Sequence, residues 1–470
     1  MDSFLRKGSL LALTLGATGC ISLEPPAAPT PDPAVPTQWP ATFAVESAAT
    51  GLPARAAADM GWREFFHDPK LQTLIARARA HNRDLRVAIL NIDKARAQYR
   101  MQRAGQWPWV GGSVGSEHSG GEVPSSNSYS AGVGVTGFEL DLFGRVRTLT
   151  EAALQQYFAQ EATRRSAEIV LVAELAALYL TLAIDQELFR LSQAKLQNYQ
   201  ESLALMEKRY RLGAVSGLDV EQIRTQVESA RVDVARYDGQ IMRDIQALTL
   251  LVGAPVEVAL LPDKPDEPMT GWVVPPPGLP SETLLRRPDI QAAEFRLRAA
   301  NANIRSARAA FFPSITLTGS VGLVSTELAE LFGGGSLVWS FVPKLTVPIF
   351  QAGRLEANLD SAVADRDIAL AQYEKAIQTG FREVADALAS ADSLVRQQDA
   401  QSALVEAATR AEHLSLLRYQ AGRDSYLGLL DAQRTLYAAQ QAQLATWLAA
   451  QINRVTLYKV LGGGWQEHSP

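Results

Sequence analysis

Few residues in this 470-residue chain are placed to do chemistry. Gly132, Gly134 and Gly137 spell GxGxxG, a spacing that lets a nucleotide pyrophosphate approach backbone amides. The motif works only where a strand precedes it and a helix opens on its last glycine. Here the alternation of SYSAGVGVTGFEL continues on both sides, so the glycines read as small residues on one face of a strand. His67, His81, His118, His413 and His468 contain no pair at metal-ligand spacing, and the one cysteine, Cys20, lies near the N-terminus. Neither a metal, nor a cofactor, nor enzymatic activity is expected. Two carboxylates stand out by position, Asp219 and Asp431, each just past a turn. Asp431, in LGLLDAQ, reads either as an acid complementing a helix N-terminus or, if chains form a ring, as one of a circle of aspartates that repels anions and holds cations.

Both aspartates lie in duplicated sequence. Arg209 to Gly253 repeats as Arg418 to Gly462 at an offset of 209, with Arg209/Arg418, Tyr210/Tyr419, Gly213/Gly422, Ser216/Ser425 and Leu218/Leu427 identical. Upstream, Asp84 to Pro108 matches Asp289 to Pro313 at an offset of 205. Identity concentrates at turns, so the copied unit is a long hairpin with its tip.

The elements around these turns are long. Gly144 to about Tyr210 and Gly353 to about Tyr419 contain no proline and carry apolar residues at three- and four-residue steps, such as Leu171, Leu175, Leu178 and Leu182. They are expected to be helices of roughly 65 residues, about 100 Å each. Shorter helices are expected at 71–104, 218–252, 288–310 and 427–461. Strands are expected at 109–117, 129–141, 314–324 and 337–347, with aromatic residues such as Trp107, Trp109, Trp339 and Phe341 at their ends. Four strands cannot close a membrane barrel, which needs at least about eight. The fold class is therefore mainly α with a small β part: helical hairpins forming an α-barrel, continuous with a β-barrel to which each chain gives four strands. A soluble sheet capping a helical rod, or a coiled-coil scaffold without a pore, are the alternatives.

The N-terminus reads as an export signal. Arg6 and Lys7 precede a short apolar run, then Ala17-Thr18-Gly19-Cys20, a lipobox-like site for acylation of Cys20. The run is shorter than the roughly 20 residues that span a membrane. Residues 1–19 are thus expected to be a lipoprotein signal peptide and 20–60 a proline-rich tether. Then come a first repeat at 61–260, a linker at 261–287, a second repeat at 288–464 and a tail at 465–470. The net charge of −5 makes a nucleic-acid partner unexpected.

The segments GWREFF (61–66), ELDLFGRVR (139–147), RRPDI (286–290), ARAAFFPSI (307–315), PIFQAGR (348–354), AQYEKAIQTGFREVADAL (371–388), LLDAQRTLY (429–437) and LYKVLGGGW (457–465) together resemble the TolC family of outer membrane factors, most closely its OprM-type efflux lipoproteins. The resemblance implies a homotrimer with a 12-stranded barrel in outer-membrane lipid and a 12-helix periplasmic tunnel. It would act as the exit channel of a tripartite efflux pump with a periplasmic adaptor and an inner-membrane transporter, expected to be proton-driven. A protein-secretion or metal-cation efflux channel is the alternative. By the same resemblance Leu427 and Asp431 form the periplasmic gate, and Tyr419 and Arg423 stabilise it. Gly428 stands where some relatives carry a second aspartate, which implies a softer cation filter here. The adaptor would dock on the tips Leu212, Gly213, Ala214, Val215, Ser216 and Gly217, and Ala421, Gly422, Asp424, Ser425 and Tyr426.

Overall fold

The structure, a computed structural model, describes residues 59–121, 126–263 and 281–468. The export signal, Cys20, nearly all of the tether and residues 264–280 of the linker lie outside that range.

Chain order is α1 (Trp62–Phe65), α2 (Pro69–His81), α3 (Arg83–Ala104), β1 (Val110–Ser119), β2 (Ser126–Leu140), α4 (Arg145–Arg211), α5 (Gly217–Val252), α6 (Pro288–Ala309), β3 (Ser314–Ser325), β4 (Leu337–Thr346), α7 (Arg354–Gln420) and α8 (Tyr426–Val460). The long helices α4 and α7 have 67 residues each, close to the expected length. Each starts after a glycine in the left-handed region, Gly144 at φ 75° and Gly353 at φ 81°. A side chain would be strained there, which is why the chain can turn sharply into the helix at these two points.

The expected helix 71–104 is in fact two, α2 and α3, broken at Asn82. That residue has extended ψ of 132°, and its Oδ1 accepts the Leu85 amide at 2.8 Å, as an N-cap does. Its Nδ2 donates to the Leu251 carbonyl at 2.8 Å. The cap and the tertiary bond together outweigh one uninterrupted helix.

The described residues form two compact units. In the first, from Ile92–Gln160 and Ala293–Glu374, the four strands make one antiparallel sheet in the order β1-β2-β3-β4. Phe143 stacks on Phe312 at 4.8 Å where the strands give way to helix. The second unit holds the hairpin tips and the principal apolar core. Its core gathers Trp62, Phe65, Phe66, Leu71, Leu74 and Ile75 around Leu175, Tyr179 and Tyr458. Phe65 stacks on Tyr458 at 4.0 Å, and the Tyr458 hydroxyl donates to the Met60 carbonyl at 2.6 Å. Helix α4 has a stretch long and apolar enough to cross a membrane. Leu171, Leu175, Ala176, Leu180 and Leu182 within it are buried in this core, so it is a packed segment of a folded unit.

Candidate functional site

The register sorts the sheet into two faces, because directly paired residues point the same way. On one face lie Val114, Ala131, Leu323 and Leu337, then Val133, Val321 and Trp339, then Ile315 and Leu345. Trp339 and Phe341 on this face are 77% and 61% exposed. The other face carries Ser113, Ser130, Gly132, Thr316, Thr318, Ser320 and Ser340. An exposed apolar face backed by a hydroxyl-rich one suits lipid outside and water inside.

Gly132 and Gly134 are on the polar face, as small residues of a strand. A Cβ at Gly132 would stand 2.9 Å from the Val321 carbonyl oxygen, and one at Gly134 would stand 2.7 Å from that of Gly319. Gly137 does something different: at φ 66° it belongs to a bulge between Val135 and Phe138 that gives β2 one extra residue. The bulge returns Phe138 to the apolar face, opposite Leu317. No helix opens on these glycines, so no phosphate cradle forms. Gly111-Gly112-Ser113-Val114-Gly115 likewise has the GxSxG spelling of a hydrolase elbow. It lies inside β1, without the strand-to-helix turn that would present the serine. Among the described residues no group of three or more His, Cys, Asp or Glu side chains is arranged to hold a metal ion.

The two tips are built alike. Gly213 at φ 71° and Gly422 at φ 66° end α4 and α7. The Ala214 amide donates to the Arg209 carbonyl and the Arg423 amide to the Arg418 carbonyl, both at 2.9 Å. These are the bonds of a Schellman end, and glycine is the residue that accommodates it. At the first tip Ser216 and Asp219 form a capping box, so Asp219 serves the start of α5. Its counterpart is Gly428, and the start of α8 has no side-chain cap; Asp424 instead accepts the Ser425 amide at 2.9 Å and pairs with Arg418 at 3.2 Å. Asp431 lies beyond the first turn of α8, too deep to cap it.

Tyr426, Leu429 and Leu430 turn into a buried cluster with Tyr199, Met206, Val220, Ile223 and Val227. The opposite side of α8 carries Leu427, 53% exposed, and Asp431, also exposed. Four residues apart, they share a face, an apolar group one turn from a charged one. Among the described residues neither the Asp431 nor the Arg423 side chain makes a hydrogen bond. Tyr419 does, and its partner was not visible from sequence: Arg209 donates from Nη1 to the Tyr419 hydroxyl at 2.7 Å, joining the two tips. The tip residues Leu212, Gly213, Ala214, Ser216 and Gly217 are exposed, as are Ala421, Gly422, Asp424 and Ser425, whereas Val215 is half-buried and Tyr426 buried.

A two-faced sheet of four strands, in a chain whose other elements are long helical hairpins, is the subunit design of a multi-chain membrane channel. The chain belongs to the outer membrane efflux protein family, which matches residues 74–254 and 279–463. It is 46% identical over 471 residues to the probable efflux pump outer membrane protein TtgC of Pseudomonas putida, covering 98% of this chain and 96% of that protein. It is 42% identical to the outer membrane protein OprJ of Pseudomonas aeruginosa, covering 97% and 95%. Among solved structures it resembles the open state of the Neisseria gonorrhoeae MtrE outer membrane channel, with a TM-score of 0.85, 37% identity, and 95% and 99% of the two chains covered.

Proposed function

We propose that this chain, an outer-membrane efflux channel subunit, assembles as a homotrimer and serves as the passive exit duct of a tripartite pump. The observation that carries the reading is the sheet. Its order leaves β1 and β4 each with one unpaired edge among the described residues, and three copies of a four-stranded sheet would give twelve strands. Open edges are not tolerated in lipid, so closure through neighbouring chains follows from the hydrogen-bonding requirement of the backbone. Drugs or other small molecules pass through without bond chemistry; a periplasmic adaptor seated on the tips and a proton-driven inner-membrane transporter supply selection and energy. Leu427 and Asp431 set the resting constriction, and acylated Cys20 anchors the N-terminus to the membrane.

Purification of the full-length protein in detergent, followed by mass measurement and planar-bilayer recording, tests this directly. A trimer that forms cation-preferring pores is expected. A monomer, or a trimer that never conducts, overturns it. Palmitate labelling that disappears in Cys20→Ser tests the anchor separately.

A further inference from the structure

Beyond the tip, α5 and α8 face each other through a polar ladder. Gln226, Asp233 and Tyr237 recur at seven- and four-residue steps along α5, and Arg434, Tyr437 and Gln441 at three- and four-residue steps along α8. Arg434 donates from Nε to Gln226 Oε1 at 3.0 Å, Tyr437 from its hydroxyl to Asp233 Oδ2 at 3.4 Å, and Gln441 from Nε2 to the Tyr237 hydroxyl at 3.0 Å. Lys195 enters from α4. Its ammonium lies 3.6 Å from the centre of the Tyr437 ring and 3.4 Å from Asp233 Oδ2. The Lys195 and Asp233 side chains are only 15% and 17% exposed, so solvent screens this contact far less than the Arg209–Tyr419 bond at the tips.

The duplication makes this cluster informative. At the offset of 209, Lys195 corresponds to Leu404, Gln226 to Thr435 and Asp233 to Ala442, and all three counterparts are exposed. The ladder is therefore a feature of one hairpin junction within the chain and is not inherited from the repeat. Apolar helix contacts can slide with little change, whereas Lys195 is held by both Asp233 and the Tyr437 ring. If α8 moves, Lys195 keeps only Asp233, itself also paired to Arg236 at 3.0 Å, and the more distant Tyr199 ring at 5.9 Å. Displacing α8 takes the Tyr437 ring away and leaves the ion pair shielded with a partner missing.

We propose that the Lys195–Asp233–Tyr437 cluster is a second latch of the resting channel, holding α8 to α5 deeper than the tip bond, with Lys195 as its positioning residue. This rests on the channel reading above. Tyr437 is 11 residues past Tyr426, roughly 16 Å along the helix. The tip can loosen first while the ladder still holds, and full opening requires both contacts to release.

Full-length trimers in planar bilayers test this, with Leu427→Ala/Asp431→Ala as the control for the channel itself. Lys195→Met should raise the fraction of time spent open by about threefold or more. The conductance of the open level should stay unchanged, because no residue of the constriction is altered. Asp233→Asn, which also weakens the Asp233–Arg236 pair at 3.0 Å, should do the same, and combining the two should add little, since both remove the Lys195–Asp233 ion pair. If Lys195→Met fails to assemble, Asp233→Asn carries the test. A Lys195→Met trimer that melts earlier but opens like wild type, while the control pair conducts more, makes the cluster mere packing and overturns the latch. If the control pair also behaves as wild type, the channel reading has failed and the latch falls with it.

Discussion

Arg209 and Tyr419 join the two hairpin tips: the guanidinium donates to the phenol at 2.7 Å, and the Tyr419 ring meets Tyr426 edge-on with centroids 5.4 Å apart. Tyr426 is one of the buried residues that anchor α8 against α4 and α5. Tyr419 thus links Arg209 of the other tip, through an exposed hydrogen bond, to the packed cluster beneath, where its hydroxyl also lies 3.9 Å from Met206 Sδ. Tyr419→Phe and Arg209→Ala should each raise resting conductance by about two- to fivefold, the effect of losing one solvent-accessible hydrogen bond to a charged group. Arg423→Ala should do less than Arg209→Ala, since the Arg423 side chain has no hydrogen bond among the described residues. Single-channel recording of the three variants gives the ranking, and an Arg423 effect exceeding that of Arg209 would reverse it.

Leu427 and Asp431 project together from the side of α8 opposite its buried cluster. In a trimer they give an apolar ring one turn from an acidic one. Replacing both with alanine should raise single-channel conductance. Losing Asp431 alone should weaken cation preference, because its negative charges would leave the proposed constriction. Reversal potentials under a salt gradient separate the two effects. An unchanged reversal potential in Asp431→Ala would place the filter elsewhere.

The long helices were legible because their ends are marked by glycine, Gly144 and Gly213 in one copy and Gly353 and Gly422 in the other, with no proline between. The strands were legible from alternation. The break at Asn82 was not, because half of what holds it is the Leu251 carbonyl, 169 residues away. The Arg209–Tyr419 bond was hidden for the same reason, its partners lying 210 residues apart in different copies of the repeat. The β2 bulge was hidden because an apolar pattern continues through it, and only pairing with β3 reveals the extra residue.

Left-handed glycines separate backbone strain from crowding. Gly213 and Gly253 have nearly equal φ, 71° and 73°. A Cβ at Gly213 meets nothing within 4 Å, whereas one at Gly253 would stand 2.4 Å from the His81 carbonyl oxygen. Gly213→Ala should cost about 1 kcal/mol, the conformational term alone. Gly253→Ala should cost more, about 2–4 kcal/mol, since α2 must move away from the end of α5. Chemical denaturation of purified protein compares the two, and equal losses would mean that α2 yields freely.

Asp185 on α4 faces Asp244 on α5. Burial, then the hydrogen bond and repulsion from Asp244, push the Asp185 carboxyl up to about 7, with Arg243 opposing. Asp244 is 5% exposed and accepts a bond from Gln240 at 2.8 Å. A carboxyl that holds its proton more tightly when folded contributes stability fully below its unfolded value of about 4, and loses it as pH rises through the folded value. Wild-type melting temperature should therefore fall as pH is raised from about 4 to above 7, in the window set by that shift. Asp185→Asn should flatten the slope there and leave the protein more stable at the alkaline end. A variant with the wild-type slope would mean that another group titrates in that window.

The register of β3 yields the sharpest test of the membrane face. Val321 and Leu323 share the face of Trp339 and Leu337, while Thr318 and Ser320 share the other with Val342 and Ser340. An arginine facing hydrocarbon near the midplane of a barrel costs about 2–4 kcal/mol, and one facing the lumen much less. Val321→Arg should therefore depress the yield of membrane-inserted trimer, whereas Ser320→Arg, one residue away, should be tolerated apart from the loss of its 2.8 Å hydroxyl contact with Ser340. The same scan along β2 should alternate only as far as Val135 and change phase at Phe138, because the bulge inserts one residue between them. Gly132 and Gly134 should fail on the lumen side too, for a different reason: any side chain there collides with the β3 backbone. Heat-modifiable trimer bands on gels of outer-membrane fractions report all of these outcomes. A flat profile across Ser320, Val321 and Leu323 would remove this sheet from lipid, and a phase unbroken at Phe138 would remove the bulge.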